Sequence, residues 1–496
     1  MSTIKKQSLH SAIFSYLGVA IGFISQGLLI PNLLTKDQNG LLGLLLSFMY
    51  IFVQLASLGV NYAGSRFFPR FSERKGYGGF VFTGLSISML GFLMTSALVF
   101  LLKPLFLSSS TEGSAILDQY FYLLLPISLG TILFNFFDSY SRNLFETVSG
   151  TFLNQFVQRL IILIGLVLIA VIGISFDVFI WIWTSAFIIP TIWMIIKSMQ
   201  LSGFSLIPDF SVFTPKFRKE FINYSLVTIL AGFSSMIIMY IDKIMLTYYG
   251  GLEDTGVYNT ASFFGSIMGM SLIAMSKAAI PVIVNAFKNN DLHTIQTIYR
   301  KSCVMQLIIG CLIFGGILIN LDSFFELIPQ GYQEGKWVII ILGLGKLFDL
   351  ATGLNGIVMA MSKYYRYDLV IMISLIFLTI IANMILIPEY KLVGAALAAA
   401  FSTFYYNSIK YWLVLKKLKM QPFDINILKV IIVSSVIIAA AYYIPLIGGS
   451  VFNNLLDMAI RSSIFSVVFI VVIYKMRVSL EMNDIINRVL KPLLKS

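Results

Sequence analysis

The chain has 496 residues, of which 58% are hydrophobic and 12% charged, with a net charge of +12 and a mean hydropathy of +0.88. A soluble domain carries about 25% charged residues and separates its cores with polar surface, so this composition excludes that class; apolar runs of about 18 to 25 residues, each close to a bilayer's width, recur from end to end. The positive balance fits cytoplasmic loops and anionic headgroups, not nucleic acid.

The chain opens with "MSTIKKQSLHSAIFSYLGVAIGFISQGLLIPNLL". Its basic flank leads into an apolar segment too long for a signal-peptide core and without a small-x-small cleavage site, so it is expected to be retained as the first span. The apolar runs then give about fourteen spans, at 11–34, 40–63, 80–102, 119–141, 151–173, 178–196, 221–246, 256–280, 302–321, 337–361, 368–387, 393–415, 427–446 and 458–475. The expected fold class is an all-α polytopic membrane protein. One set of connections carries Arg66, Arg70, Arg74 and Lys75, then Arg142, then Lys197, Lys216, Arg218 and Lys219. It continues with Lys288, Arg300 and Lys301, then Lys363 and Arg366, then Lys416, Lys417 and Lys419. The alternate connections offer only Lys36, Lys103, Lys336 and Lys391. This bias puts the basic side, and both termini, in the cytoplasm. The longest external connections, "KPLFLSSSTEGSAILDQ" and "NLDSFFELIPQGYQEGK", leave no room for an extracellular domain. "FTPKFRKEFI" before span 7 and "LEMNDIINRVLKPLL" in the C-terminal tail read as amphipathic helices docked on the membrane surface.

The chain repeats at an offset of about 215 residues, since spans of equal rank fall in register. Gly40 and Gly256 open spans 2 and 8; Leu129-Gly130 and Leu344-Gly345 lie in spans 4 and 10; Val178 and Val393 open spans 6 and 12. Residues 1–200 and 201–418 are therefore expected to form two six-helix lobes, with 419–496 adding spans 13 and 14 and a cytoplasmic tail. Six spans return the chain to the side it started from, so the repeat is parallel, about an axis along the membrane normal. Two parallel lobes around a central cavity is an arrangement of transporters.

Ionisable residues within the spans are functional candidates by default. They are Asp138, Arg159, Asp242, Lys243, Lys277, Lys346, Asp349 and Lys410, with Arg461 near the start of span 14. Cations predominate, which favours an anionic substrate. Lys346 and Asp349 either neutralise each other at i and i+3 or line a cavity. Arg159 continues a stripe of Asn154, Gln155 and Gln158 that serves either inter-helix hydrogen bonding or a cavity. Lys243, Lys277 and Lys410 either point inward or snorkel to headgroups. Asp242 reads as a candidate external gate and Lys243, beside it, as an anchor. There is no GxGxxG, Walker A or HExxH pattern, and His10 and His293 are the only histidines. Cys303 and Cys311 lie too far apart along one helix to be bridged. No enzymatic activity, cofactor or metal is expected.

Four stretches, in order along the spans, carry a family resemblance: "LASLGVNYAGSRFFPRF", "NQFVQRL", "YIDKIMLTYYGGLEDTGVYNTASFF" and "LVGAALAAAFS". With the fourteen-span plan they resemble the polysaccharide (O-antigen) flippases of the multidrug/oligosaccharidyl-lipid/polysaccharide exporter superfamily. The resemblance implies a bacterial cytoplasmic membrane protein that moves an undecaprenyl-pyrophosphate-linked oligosaccharide to the external leaflet, with membrane lipids and polysaccharide assembly proteins as partners. It implies that Arg66 and Lys277 contact the pyrophosphate, with Arg159 and Lys346 as further substrate-binding residues. Asp242, Asp138 and Asp349 are then the candidates for gating or ion coupling. Cation-coupled drug exporters of the same superfamily are the alternative. Many use an acid in span 1, where 11–34 has neither Asp nor Glu. Lipid II flippases tend to carry several arginines there, which this chain lacks. A membrane polymerase or glycosyltransferase is disfavoured by the short external loops and the repeat.

Overall fold

Within lipid, a backbone can satisfy its polar groups only inside its own segment or in a closed barrel, and every described element here is a helix. The computed structural model describes residues 3–72, 77, 79–107, 114–201, 203–444 and 450–493. Arg74, Lys75, Lys495 and part of the 103–119 connection lie outside the described residues.

The helices are α1 (His10–Leu33), α2 (Lys36–Ala56), α3 (Val60–Ser72), α4 (Phe80–Leu107), α5 (Ala115–Asn143), α6 (Val148–Ile172) and α7 (Phe176–Met199). There follow α8 (Pro215–Lys288), α9 (Leu292–Ile319), the short α10 (Leu321–Glu326), α11 (Gly335–Ala351), α12 (Asn355–Met361) and α13 (Tyr365–Leu418). The last three are α14 (Ile425–Tyr442), α15 (Val451–Met476) and α16 (Leu480–Leu493).

Among the described residues, eleven helices are long and apolar enough to cross a membrane, or twelve if the pair bent by 49° at residues 352–354 is one span. That is fewer than the fourteen spans expected. Two helices are far longer than one crossing. The 74 residues of α8 would extend about 110 Å at 1.5 Å per residue, against a hydrocarbon core of about 30 Å. It is interrupted at Gly251, whose φ of 85° and ψ of −178° suit a residue without a Cβ. The 54 residues of α13 are interrupted at Lys391, with φ 48° and ψ −126°. The breaks fall where the sequence places the turns between spans 7 and 8 and between spans 11 and 12.

The chain divides into two compact units, residues 1–259 and 260–496. In the first, Gly130 of α5 meets α7: a Cβ there would lie 2.9 Å from the Phe187 carbonyl oxygen. In the second, Gly345 of α11 meets the latter part of α13, its Cβ position 3.1 Å from Ala400 Cα. Each glycine thus lets two helices of its own unit approach closely.

The 213–222 stretch is not a separate surface helix. It leads straight into α8, which runs without interruption from Pro215 to Gly250. Its aromatic face is spent on protein: Phe217 and Phe221 lie 5.3 and 5.9 Å from the Phe67 ring of α3, and Phe213 lies 5.7 Å from Phe71. Burying these rings between two helices removes more apolar surface from water than laying one face on headgroups. The tail helix α16 is anchored to α9 by Glu481 and Lys301 at 2.6 Å.

Candidate functional site

The 21 residues of α2 cover about 31 Å, the whole hydrocarbon core. Leu58 and Gly59, with φ of 44° and 73°, end its course, so α3 starts at the far face of the membrane. Arg66 of α3 is exposed. Its guanidinium lies 4.3 Å from the ring centroid of Tyr224 and 5.7 Å from that of Phe67. An arginine plane held on an aromatic face keeps its N–H edge available for an oxyanion. No acidic partner lies within 4.0 Å of Arg66 among the described residues. Arg70, one turn on, differs: it sits 4.8 Å over Phe217 but is paired with Glu220 at 3.0 Å. Lys277 belongs to the second unit, where it is exposed on α8.

Arg159 is half-buried on α6. It donates to the Gly18 carbonyl oxygen of α1 and, at 3.3 Å, to Gln155 Oε1. The amide stripe is partly self-bonded: Gln155 donates to Asn154 Oδ1 at 2.9 Å and Asn154 to Gln158 Oε1 at 3.3 Å. Asp138, near the C-terminal end of α5, pairs with Arg142 at 3.2 Å. Gly150 of α6 packs against this carboxylate, so a side chain there would displace the Asp138 carboxylate.

Asp242 is buried and accepts from the Tyr258 hydroxyl at 3.3 Å. Lys243 does not reach toward headgroups, contrary to the anchor expected of it. Its ammonium donates to Asn259 Oδ1 at 2.6 Å. Asn259 donates to Asn39 Oδ1 at 3.0 Å, and Asn39 to the Gly256 carbonyl at 2.8 Å. The carboxamides at the α2–α8 seam supply the acceptors that water would otherwise provide.

In the second unit Lys346 pairs with Asp349 at 3.3 Å, the i,i+3 contact the spacing allows. The pair is also part of a network: Asp349 Oδ1 accepts from Asn407 at 3.0 Å, and Asn407 Oδ1 accepts from Thr352 and Asn355, each at 3.0 Å. Lys346 stays partly exposed. Lys410 does not snorkel. Its side chain is 3% exposed, paired with Asp368 at 2.7 Å and bonded to the Tyr406 hydroxyl. Asp368 was not singled out in the sequence because it lies at the edge of a span, where a carboxylate is unremarked. Arg461 is likewise buried, paired with Asp457 at 3.1 Å. Among the described residues no three His, Cys, Asp or Glu side chains are grouped to hold a metal ion, and both cysteines are buried free thiols.

A family model described as "Polysaccharide biosynthesis protein" matches residues 9–287. An uncharacterized membrane protein of Methanocaldococcus jannaschii is 21% identical over 98% of both chains. A capsular polysaccharide biosynthesis protein, CapF, of Staphylococcus aureus is 27% identical over 38% of this chain and 48% of its own. Among solved structures, the lipid II flippase MurJ in an inward closed conformation superposes with a TM-score of 0.73 at 16% identity, covering 95% of this chain and 99% of that one. An inward-facing multidrug resistance MATE transporter of the MOP superfamily gives 0.63 at 13% identity, covering 82% and 94%. At these identities the likeness is one of fold: a polytopic helical membrane protein with the architecture of that superfamily.

Proposed function

Because the chain belongs to the polysaccharide biosynthesis protein family, we propose that it is a flippase that carries an undecaprenyl-pyrophosphate-linked oligosaccharide from the cytoplasmic to the external leaflet of a bacterial cytoplasmic membrane. The reading takes both termini as cytoplasmic, fourteen crossings, and binding residues that open to the two sides in turn. The observation that carries it is Arg66, a cation stacked on Tyr224 at the cytoplasmic face and without a carboxylate partner among the described residues. A cation so placed recognises phosphate oxygens at headgroup level. Lys277, exposed on α8, is the second phosphate contact in this reading, and Lys346 a further one. Replacing Arg66 and Lys277 together with Gln is expected to abolish surface glycan while the protein stays in the membrane; undiminished surface glycan would remove the assignment.

The likeness to a MATE transporter supports a second reading, export of cationic drugs. It predicts that expression in an exporter-deficient strain raises drug resistance, which the first reading does not. Asp242, Asp138 and Asp349 are the acids offered for gating or ion coupling. Glycan transport in vesicles that ignores both sodium and a pH gradient would take that role from them, as would an Asp242→Asn protein of full activity.

A further inference from the structure

Two π-helical stretches break the α geometry of the first unit. In α1 it runs over Phe23–Leu29, with the Ile30 N–H donating to the Ser25 carbonyl; in α6 it runs over Phe152–Val157, with the Gln158 N–H donating to the Leu153 carbonyl. Such stretches are rare and gather at functional sites. The Gln155 carbonyl, inside the second, lies against Gly18 of α1, where no side chain fits. Arg159 follows directly and fastens the same two helices through the Gly18 carbonyl.

Arg159 is half-buried at mid-membrane, about 16 Å along α6 from Val148 at 1.5 Å per residue. Its bonded partners are a backbone carbonyl and a carboxamide, and no carboxylate lies within 4.0 Å of it among the described residues. Beside it stands Tyr50 of α2, stacked on Tyr240 of α8 with ring centroids 4.9 Å apart and planes 10° from parallel. Tyr50 is half-buried. Tyr240, about 16 Å from the Gly251 turn, is at the same depth. One turn from Tyr50, Gln54 Nε2 is buried without a partner.

A cation in low dielectric without a counter-charge costs several kcal/mol unless a ligand supplies one. Flat aromatic faces and carboxamides are what a sugar ring needs: stacking for its C–H face and donors for its hydroxyls. We propose that Arg159, Tyr50, Tyr240 and Gln54 form a subsite for an acidic sugar, a uronate-type ring whose carboxylate pairs with Arg159 while its face rests on the tyrosine pair. This rests on the flippase reading and names a substrate class within it. Arg66 lies at the membrane face, some half a bilayer away in depth, so the pyrophosphate and the acidic sugar have separate partners.

The test uses the full chain in lipid nanodiscs, with glucuronate, glucose, methyl glucuronate (the neutral ester) and inorganic pyrophosphate as probes read by saturation-transfer NMR. Glucuronate is expected to bind about tenfold more tightly than glucose or the ester, as an ion pair in a partly buried site gives. Arg159→Gln should erase that preference and leave glucose binding as it was, Arg159→Lys should keep most of it, and Tyr240→Ala should weaken both sugars. Equal binding of glucuronate and its ester overturns the proposal on the wild-type protein alone, whether or not the variants fold. So does a preference that survives in Arg159→Gln, or pyrophosphate displacing glucuronate more effectively than glucuronate displaces itself. Loss of surface glycan in the Arg66, Lys277 double variant together with equal binding of the two sugars would remove this subsite and leave the flippase reading standing.

Discussion

Gly40 and Gly256 lie against each other, each at the place where the other's helix passes. A Cβ on Gly40 would fall on the Leu252 carbonyl and 3.1 Å from the Gly256 nitrogen; a Cβ on Gly256 would fall on the Lys36 carbonyl and 3.1 Å from the Gly40 nitrogen. The seam between α2 and α8 is thus a contact of backbone on backbone. Close backbone approach of this kind is how helices gain packing in lipid.

Alanine at either position must therefore push the helices apart. The contacts are with backbone, which has no flexible end to yield, so Gly40→Ala or Gly256→Ala is expected to cost about 1–3 kcal/mol. The readout is a lowered thermal midpoint of the detergent-purified protein. Gly269, whose Cβ position has no neighbour within 4 Å, is the matched control, and its alanine variant should melt with the wild type.

Lys410 and Asp368 make the next case. With side chains 3% and 16% exposed and 2.7 Å apart, each is the other's compensation. Removing one leaves a buried charge, at a cost of about 3–5 kcal/mol, whereas replacing both by apolar residues costs far less. Lys410→Met and Asp368→Leu should each lower the melting midpoint sharply, and the double variant should recover much of the loss. Additive effects in that double-mutant cycle would show that the two do not depend on each other.

The long apolar helices were legible because hydropathy is a local property of sequence. The internal pairings were not. Tyr50 and Tyr240 are separated by most of a lobe, and in a chain with 24 tyrosines and 42 phenylalanines an aromatic residue carries no signal. Arg159 could be flagged as costly in a membrane, but its partner is the carbonyl of Gly18, and a carbonyl has no sequence identity. Lys243 read as a snorkelling anchor because its acceptor, Asn259, lies sixteen residues on, beyond the break at Gly251, and meets it only in the fold. Asp349 and Lys346 were legible as a pair by their spacing; Asn407, which joins them to Asn355 and Thr352, was not.

Two carboxylates outside the spans give a pH dependence. Burial alone would raise the Asp424 carboxyl, but the guanidinium of Arg300 at 2.5 Å and the N–H groups of Asn426 and Ile427 outweigh it and hold the group below its ordinary 3.8. Glu481 is likewise below 4.5, burial being overcome chiefly by Lys301. A depressed carboxyl stabilises the fold above its ordinary value, and the contribution disappears as pH falls through the lower folded value. The gap in melting midpoint between wild type and Asp424→Asn should thus be constant from pH 7 to about 5 and close below about 4. Asp424 also caps the N-terminus of α14, a role Asn retains, so the gap reports the charge. A gap that widens on acidification would contradict the assignment.

Arg461 is the residue on which the attachment of the last two membrane helices turns. Its Nε donates to Asp457 Oδ1 at 3.1 Å, one Nη donates to the Ile319 carbonyl at 3.1 Å at the end of α9, and the other to the Ile444 carbonyl just past α14. Asp457 in turn accepts from Ser323 of α10 at 2.8 Å. One guanidinium thus satisfies carbonyls at two helix C-termini, where the dipoles favour a cation, and ties α15 to both. A lysine preserves the charge but has no fixed fork of donors to reach both carbonyls. Arg461→Lys should therefore be only partly tolerated, and Arg461→Met, which takes the cation away from the buried Asp457 carboxylate, should cost about 3–5 kcal/mol. The loss should be local: limited proteolysis is expected to cut α14 and α15 faster in Arg461→Met, while residues 1–259 resist as in the wild type. Equal cleavage in variant and wild type would mean that apolar packing of α14 and α15 on α9 holds them without the clamp.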